Sequence, residues 1–556
     1  MNNYIIRMGV LYLVILSLNI YAQVVYEPIN SSIYNYLDKL SHKGLIEYND
    51  LIKPLPREYL FNKLSEVEKK RNKLTSLEKE ELVFYLKEFD LEDKFYNKLE
   101  PNTTLVKPKF YNFNLKDRMR IFTYSDSLFK MNFNPILKYQ TGSFDGESYF
   151  KITYGLRFYG YIGDNFGFQF RFYNNREEPN ILDKLWNRFT SNQGRDYSLS
   201  DGDRAEYSEV NASLNYNWNW GKISVGQDKT NLGYSKNGQI VLSAKPPAFP
   251  FIKIEITPTS WLKFNFLHAW LNSDVKDSSS FYSTDRIRND EAVQRFNWRQ
   301  KYLAQHTLIL TPLKGFDISL GESVIYSDRL EISYLIPIMF FDQADEHISR
   351  DNNQAGSNTQ FFFALSSRNH IPNTHLWGSF FADELTPDGL FDPKTQYYKF
   401  GFTLGATFVN LPIDNLFARA EYTKIYPGTY QHFIPTLTYS SSENFLGHWL
   451  GDNADLVFLS LDYTIVRGLN INLWGQFIRK GQSSVGDISY DLPMEPFLYG
   501  LRENYDYFGI KLNYEFMHDV FLNFEYQTIK ESIENQDLTF TNRNISSYFL
   551  LLGYGF

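Results

Sequence analysis

Residues 127–556 alternate apolar and polar side chains with a period of two, in short runs separated by turn residues. In the run 165–176, phenylalanine occupies positions 166, 168, 170 and 172, while positions 167, 169 and 171 are Gly, Gln and Arg. Successive side chains of a β-strand point to opposite faces, so the pattern predicts strands with one apolar and one polar face. A β-sandwich would show the same period, so alternation alone does not separate a sandwich from a barrel.

The connections between the runs separate these two architectures. Short linkers such as 163–164 and 467–468 alternate with long ones such as 177–204 and 428–454. Short turns on one rim and long loops on the other are typical of outer-membrane barrels. We therefore predict an all-β transmembrane barrel, antiparallel and up-and-down, with about 18 strands. The predicted strands are 128–140, 148–162, 165–176, 205–219, 221–228, 251–257, 261–273, 301–313, 316–327, 358–368, 374–384, 396–409, 415–427, 455–466, 469–480, 503–517, 520–532 and 546–556.

The strand count has alternatives, and the last strand has a specific expected partner. Counts of 16 or 20 stay open, because the runs 221–228 and 251–257 are weak. The run 546–556 alternates up to Phe556, and we expect it to pair with the first strand and close the barrel. Aromatic residues make up 18% of a chain whose mean hydropathy is -0.39. Many aromatic rings in a polar chain suit a wall with lipid on one face and water on the other.

Charge and cysteine content exclude several classes of function. The net charge is -8 and no basic run stands out, which argues against a nucleic-acid partner. The chain has no cysteine, which excludes disulfides, thiolate metal sites, a cysteine nucleophile and the lipidated cysteine of a lipoprotein. The sequence also lacks the nucleotide-binding, hydrolase and metalloprotease motifs. We predict that the protein is not an enzyme and uses no cofactor.

The N-terminal part differs from the rest in its pattern. Residues 1–22 combine Arg7, a short apolar run and Ala22 before Gln23, which predicts a secretory signal peptide. Residues 23–105 show a helical period and the capping box Thr75 to Glu78, so they predict a small helical bundle. We expect a linker over 106–126 and the barrel over 127–556, with the helical bundle in the periplasm. The pattern leaves open whether a loop or the bundle fills the lumen.

Two sets of loop residues are candidates for binding. The segment 341–353 is rich in oxygen-bearing side chains, and a Ca²⁺ or sugar site is one interpretation. The other interpretation is a solvated loop, because the residue order of a calcium-binding loop is missing. Three tryptophans lie outside the predicted strands and are candidates for stacking on a sugar ring; the alternative interpretation is that they pack the loops against each other or plug the lumen. The acidic candidates are Asp342, Asp345, Glu346 and Asp351, and the aromatic candidates are Trp186, Trp298 and Trp449.

Three stretches resemble a known family. They are VYEPINSSIYNYLDKLSHKGLIEYNDLIKPLPREYLFNKLSEVEKKRNKLTSLEKEEL, GKISVGQDKTNLGYSKNGQIVLSAKPPAFPFIKIEI and LGESVIYSDRLEISYLIPIMFF. Together they are similar to the Wzi-like capsule-assembly barrels of the outer membrane, and to the Bacteroidetes branch that includes the RemB-type gliding-motility proteins. The resemblance implies a barrel of about 18 strands with an N-terminal helical bundle, and a lectin-like role toward capsular or other surface polysaccharide. It assigns no sugar-contacting residue.

Three functions follow as expectations. The first is a barrel that binds or organises surface polysaccharide, with outer-membrane lipid and lipopolysaccharide as its surroundings. The second is a component of the gliding-motility or type nine secretion apparatus that acts through protein contacts. The third is a diffusion channel, because the polar wall carries residues such as Arg157, Arg419 and Glu525 that would suit water.

Overall fold

The architecture was established from a computed structural model. It describes residues 24–92, 106–112, 120–179, 199–201, 204–288, 291–352, 356–385, 398–483 and 493–555. The predicted signal peptide and Trp186 lie outside the described residues.

Eighteen antiparallel strands form a closed barrel, which confirms the predicted fold class and strand number. The two weak runs, 221–228 and 251–257, both lie in strands of the sheet, Gly221–Asp228 and Phe249–Thr259, which pair with each other. The strands are β1 (Phe129–Phe144), β2 (Glu147–Ile162), β3 (Phe166–Glu178), β4 (Arg204–Trp218), β5 (Gly221–Asp228), β6 (Phe249–Thr259), β7 (Leu262–Lys276), β8 (Trp298–Leu313), β9 (Phe316–Ser327), β10 (Asn358–Arg368), β11 (Thr374–Leu385), β12 (Tyr398–Val409), β13 (Leu416–Ile425), β14 (Ala454–Val466), β15 (Leu469–Lys480), β16 (Glu503–Met517), β17 (Val520–Glu534) and β18 (Phe540–Tyr554).

The last strand closes the barrel against the first. β18 pairs with β1 from Ser547 opposite Phe144 to Tyr554 opposite Leu137. Every strand therefore has a neighbour on both edges, and the backbone N–H and C=O groups of the wall find partners within it.

The two rims of the barrel differ as the linker lengths predict. All connections on one rim, which we call the short-turn rim, are short: 163–165, 219–220, 260–261, 314–315, 369–373, 410–415, 467–468 and 518–519. The opposite rim, which we call the long-loop rim, carries long connections such as 229–248, 277–297, 328–357 and 426–453.

The outer face of the wall is apolar and the inner face is polar. Leu137, Tyr139 and Leu552 are among the exposed residues of the outer face. Arg157, Glu421 and Gln527 are buried on the inner face, where other segments of the chain fill the lumen and cover them. In the part of the chain that the structure describes, no helix has the length and apolar character required to cross a bilayer.

Within the described residues, three α-helices precede the barrel: α1 (Ile33–His42), α2 (Arg57–Glu68) and α3 (Ser76–Glu88). The predicted capping box opens α3, because Thr75 Oγ1 accepts from the Glu78 N–H at 3.2 Å and the Thr75 N–H donates to Glu78 Oε2 at 2.9 Å. The chain turns away after α1 at Gly44, whose φ of +70° favours glycine. Leu37, Leu60, Leu64, Val67 and Leu82 form the core between these helices.

The helices contact the barrel at its short-turn rim and do not form a separate body. Lys39 Nζ donates to Asn415 Oδ1 at 2.9 Å, and Phe84 stacks on His518 with 3.7 Å between ring centroids. Asn415 and His518 both belong to short turns. We call residues 24–92 the plug, because they also reach residues of the inner wall. The segment predicted as a linker contains strands Val106–Asn112 and Arg120–Ser125, and the second of these pairs with β1.

Candidate functional site

A buried arginine fastens the plug internally. Arg57 is fully buried, and its Nε donates to Glu92 Oε1 at 2.7 Å while Nη1 donates to Glu27 Oε2 at 2.5 Å. The guanidinium lies between the rings of Phe89 and Tyr159, 4.2 Å and 4.6 Å from their centroids. Tyr159 belongs to β2, so the same side chain packs against plug and wall.

The carboxylates around Arg57 continue the contact into the wall. Glu27 Oε2 lies 3.5 Å from Arg157 Nη2, and Glu92 accepts a short hydrogen bond from the Tyr161 hydroxyl. Both wall residues are on β2. An ionic network that crosses an interface and excludes water is costly to break, because removal of one partner leaves buried charge uncompensated.

A second buried arginine reaches from the wall into the plug. Arg368, at the end of β10, donates from Nη1 to the carbonyl oxygen of Tyr48 at 2.8 Å and pairs closely with Asp50. Asp38 Oδ1 lies 3.9 Å from its Nη2, and Asp317 of β9 lies 3.8 Å from its Nη1. The plug is therefore held at two places by guanidinium groups.

Among the plug carboxyls with displaced pKa values, Asp38 and Glu81 move in opposite directions. Burial alone would raise the pKa of Asp38, but the neighbouring His42 and Arg368 outweigh burial and hold that pKa well below its usual range. Burial raises the pKa of Glu81 to about 7, against the opposing pull of Lys39. The plug thus carries one carboxyl, Glu81, that exchanges its proton near neutral pH.

The lumen is also entered from the long-loop rim. Residues 229–248, which we call the strap, leave β5 and descend inside the barrel before β6 begins. Leu232 and Asn231 pair with Ile52 and Lys53 of the plug in a short antiparallel ladder, and the Gly233 N–H donates to the carbonyl of Leu51 at 2.8 Å. Plug and strap therefore meet inside the barrel and share backbone hydrogen bonds.

A second long loop covers the strap. We call residues 426–453, between β13 and β14, the cap. The hydroxyl of Tyr430 donates to the carbonyl of Ile240 at 2.6 Å, and that of Tyr439 donates to the carbonyl of Val241 at 3.0 Å. Both tyrosines are fully buried, and the rings pack with the apolar side chains of the strap in the largest core of the molecule. Strap and cap together are built like the interior of a soluble domain.

The predicted tryptophans that the structure describes occupy different environments. Trp449 lies in the cap, is only 6% exposed, and donates its ring N–H to the carbonyl of Asn237 in the strap. Trp298 lies at the first position of β8 and is 45% exposed. Its ring meets Phe296 edge-on at 5.1 Å, and Phe296 stacks on Phe281 at 5.2 Å. The structure does not bring these two tryptophans together.

Trp298 stands at the base of a projecting hairpin. Strands Tyr282–Arg288 and Glu291–Arg295 pair with each other beyond the barrel wall at the long-loop rim. The rings of Phe281, Phe296 and Trp298 form an aromatic surface at its base, which we call the rim cluster. Hydroxyl and amide groups of the hairpin, such as Ser283 and Gln294, lie on the same projection. Exposed ring faces beside hydrogen-bonding groups are the chemistry that accommodates a sugar ring.

The predicted acidic loop is a helix on the outside of the barrel. α4 (Phe341–Asn352) begins where the N–H groups of Phe341 and Asp342 donate to the carboxylate of Glu322 at 3.0 Å and 2.8 Å. Glu322 is on β9, on the same face as the exposed Leu320. Tyr334 and Phe341 cover this part of the outer wall.

The candidate metal ligands of that segment do not converge. Asp342 and Glu346 are exposed on α4, and Asp345 lies 3.5 Å from the Tyr334 hydroxyl. The side chain of Asp351 is outside the described part. Among the described side chains, Asp342, Asp345 and Glu346 belong to no group of three residues that could share one ion.

The residues that organise the lumen were not identified from the sequence. Arg57, Arg368 and Tyr430 belong to no recognisable sequence motif, so no local signal marks them.

A cavity of about 510 Å³ lies between the plug and the inner wall of β13–β17. Its lining is dominated by amide, hydroxyl and charged groups, together with a few aromatic rings. Residues of the wall that line it include Asp462, Asn470, Asn472, Lys511, Asn513 and Asn523. It is one region of the lumen that plug and strap leave unfilled.

The fold is similar to that of a solved carbohydrate-binding barrel. The structure matches Wzi from Escherichia coli, described as an outer-membrane protein involved in group 1 capsule assembly and a carbohydrate-binding β-barrel. The TM-score is 0.56 at 10% sequence identity, and the match covers 96% of this chain and 100% of Wzi. At this identity the likeness concerns the fold alone.

Weaker matches are to OprD of Pseudomonas aeruginosa and OccAB4 of Acinetobacter baumannii. OprD matches with a TM-score of 0.42 and 10% identity, over 76% of this chain and 94% of its own. OccAB4 matches with a TM-score of 0.42 and 11% identity, over 77% and 98%. No family model matches the sequence, and no curated protein matches it.

Proposed function

We propose that this protein is a non-enzymatic outer-membrane barrel that binds surface polysaccharide at its long-loop rim. The observation that carries the proposal is that the lumen is filled from both ends, by the plug and by the strap, which pair with each other at Ile52 and Leu232. A barrel closed in this way presents a wall and a rim, and the rim is where it can meet a ligand. The fold it shares with a carbohydrate-binding barrel supports a glycan as that ligand.

Outer-membrane residence is supported by the apolar outer wall and the closed sheet. With the short turns toward the periplasm, the plug faces the periplasm and the rim cluster faces outward, where lipopolysaccharide and capsular material lie. The predicted signal peptide fits this orientation.

The rim cluster is the proposed contact for the glycan, and Trp298 is the more exposed of the two predicted tryptophans that the structure describes. Trp449 is assigned to packing between cap and strap, because its ring is buried and its N–H is bonded. Replacement of Trp298 by Ala should weaken glycan binding roughly tenfold, the loss expected for about one stacking contact.

The test compares two exposed tryptophans on opposite rims. Capsular polysaccharide from the producing strain is titrated against the detergent-solubilised wild type, Trp298→Ala and Trp261→Ala. Trp261 is 53% exposed in a short turn and is the matched control. We expect weakened binding only in Trp298→Ala. Equal affinities in all three proteins would remove the rim cluster from the proposal, and no saturable binding by the wild type would overturn the proposal itself.

An open channel is a less favoured alternative, because plug and strap occupy the lumen. Planar-bilayer recordings should show a silent protein, and steady conductance would favour the channel. The role in gliding motility or type nine secretion stays a prediction of the family resemblance. A deletion strain scored for both capsule retention and gliding separates it from the glycan role.

A further inference from the structure

Three buried side chains converge where the plug touches the wall. Asp38 and His42 are one turn apart on the same face of α1, and His375 is the second residue of β11. One ligand atom from each lies within 4.8 Å of the other two, and the two imidazole centroids are 4.8 Å apart. All three side chains are buried, so water does not compete for their polar atoms.

One ring nitrogen of His42 is buried without a partner. The side chain is fully buried, and Nδ1 has no hydrogen-bond partner. Nε2 lies 3.0 Å from Asp38 Oδ1, so the imidazole and this carboxylate form a close pair. An unsatisfied buried polar group costs about 1–3 kcal/mol, so its presence needs a physical reason.

His375 makes the additional hydrogen bond that a metal-ligating histidine usually makes. Its Nε2 is 2.9 Å from the Ser366 hydroxyl oxygen, on the neighbouring strand. In a metal-ligating histidine, one ring nitrogen usually makes such a hydrogen bond, which fixes the ring, and the other nitrogen binds the metal. Here that nitrogen is Nδ1.

The surrounding charges tolerate a cation. Arg368 and Arg419 lie 3.9 Å and 3.8 Å from the carboxylate of Asp38, but each guanidinium has other partners. Arg368 pairs with Asp50 and Asp317, Arg419 lies 3.8 Å from Glu421, and Lys53 lies 2.7 Å from Asp50. Lys236 also faces Asp38, and it is balanced by Asp462. Five carboxylates therefore face four cations in this network, which leaves one net negative charge when the imidazoles are neutral.

We infer that Asp38, His42 and His375 bind one divalent ion of the Zn²⁺ class. Two imidazoles and one carboxylate suit Zn²⁺, with a fourth position open to water. Zn²⁺ ligands at about 2.0–2.2 Å stand roughly 3.3 Å from one another, so small side-chain movements bring the three atoms into range. Since two ligands come from α1 and one from β11, the ion fastens the plug to the wall.

The test is metal binding by the mature protein, purified in detergent without a histidine tag and stripped with EDTA. Co²⁺ serves as the spectroscopic probe, and Zn²⁺ content is measured by mass spectrometry after dialysis. We expect about one ion per chain in the wild type, and visible Co²⁺ absorption of tetrahedral intensity that Zn²⁺ abolishes. His42→Ala and His375→Ala should each lose the stoichiometric ion. His370→Ala, at an exposed histidine in the adjacent short turn, should keep it.

Two further measurements keep the result interpretable. Heat-modified mobility in gels shows that each variant has folded its barrel, and His42→Gln provides a second variant that keeps the side-chain volume. In the wild type, Zn²⁺ should slow proteolysis of the plug at least severalfold. Absence of stoichiometric metal in the wild type, or its full retention in folded His42→Ala and His375→Ala, would overturn the assignment.

Discussion

The plug and the strap fill the same lumen by different physical means. The plug is held by buried guanidinium groups, Arg57 within it and Arg368 from the wall, each surrounded by carboxylates. The strap is held chiefly by apolar packing and by tyrosine hydroxyls such as those of Tyr430 and Tyr439, which bond to its backbone. Its charged contacts are fewer, and the main one is the Glu421 carboxylate, which accepts hydrogen bonds from residues 235–237 of the strap.

The difference indicates which element is able to respond to conditions. Charged contacts change strength with protonation, ionic strength and bound cations, whereas apolar packing changes little with any of these. We therefore expect the contacts of the plug to respond to these conditions more strongly than those of the strap and its cap.

The largest expected effect comes from removal of Arg57. Arg57→Ala leaves Glu27 and Glu92 buried without their main partner, and we expect the folded plug to lose about 3–5 kcal/mol of stability. Hydrogen exchange in α2 and α3 should accelerate while the strap stays protected. Arg71→Ala is the control, because its pair with Glu68 is solvent-exposed and should matter by less than about 1 kcal/mol. Equal protection of α2 from hydrogen exchange in both variants would contradict the claim that the ion pairs of Arg57 stabilise the plug.

A smaller effect is expected in the strap. Tyr430→Phe removes the hydroxyl that bonds to Ile240 and also accepts from the His448 N–H at 3.2 Å. The unsatisfied groups should cost about 1–3 kcal/mol, and exchange should accelerate around 239–242 but not in the plug. Tyr139→Phe, on the exposed outer wall, is the matched control. If the plug loosens as much as the strap, the two closures are not independent.

The smallest effect is a pH dependence confined to the plug. The pKa of Glu81 is about 7 in the docked plug and about 4.5 when it is exposed, so the proton is bound more tightly in the docked state. Its stabilising contribution is complete below about pH 4.5 and is lost as the pH rises through 7. Lys39, Glu78 and Arg467 face this carboxyl and set the size of the effect.

Glu81→Gln should flatten the dependence of α3 protection on pH between 5 and 8, once intrinsic exchange rates are corrected. Glu66→Gln, at an exposed carboxyl of α2, should keep the wild-type dependence. An unchanged slope in Glu81→Gln would assign the dependence to another group.

The strands of the wall were predictable because each one repeats the same local pattern, the alternation of apolar and polar side chains. Even the weak runs at 221–228 and 251–257 form strands, since alternation and turn spacing are properties of neighbouring residues. The contents of the lumen were not predictable in this way. Trp298 and Trp449 look alike in the sequence, and only the descent of the strap buries one of them. α4 was missed because its N-terminal cap, Glu322, comes from a strand about twenty residues earlier.

The ladder between Ile52 and Leu232 joins a segment that enters through one rim to a segment that enters through the other. Neither segment completes this ladder outside the barrel, so its formation depends on the order of events during biogenesis. The plug precedes the barrel in the chain, and the seam between β1 and β18 forms only when the last strand arrives. We therefore expect the sheet to wrap around a plug that is already folded, after which the strap locks it from within. The barrel is then closed from within, and the plug cannot leave the lumen while the strap is paired with it.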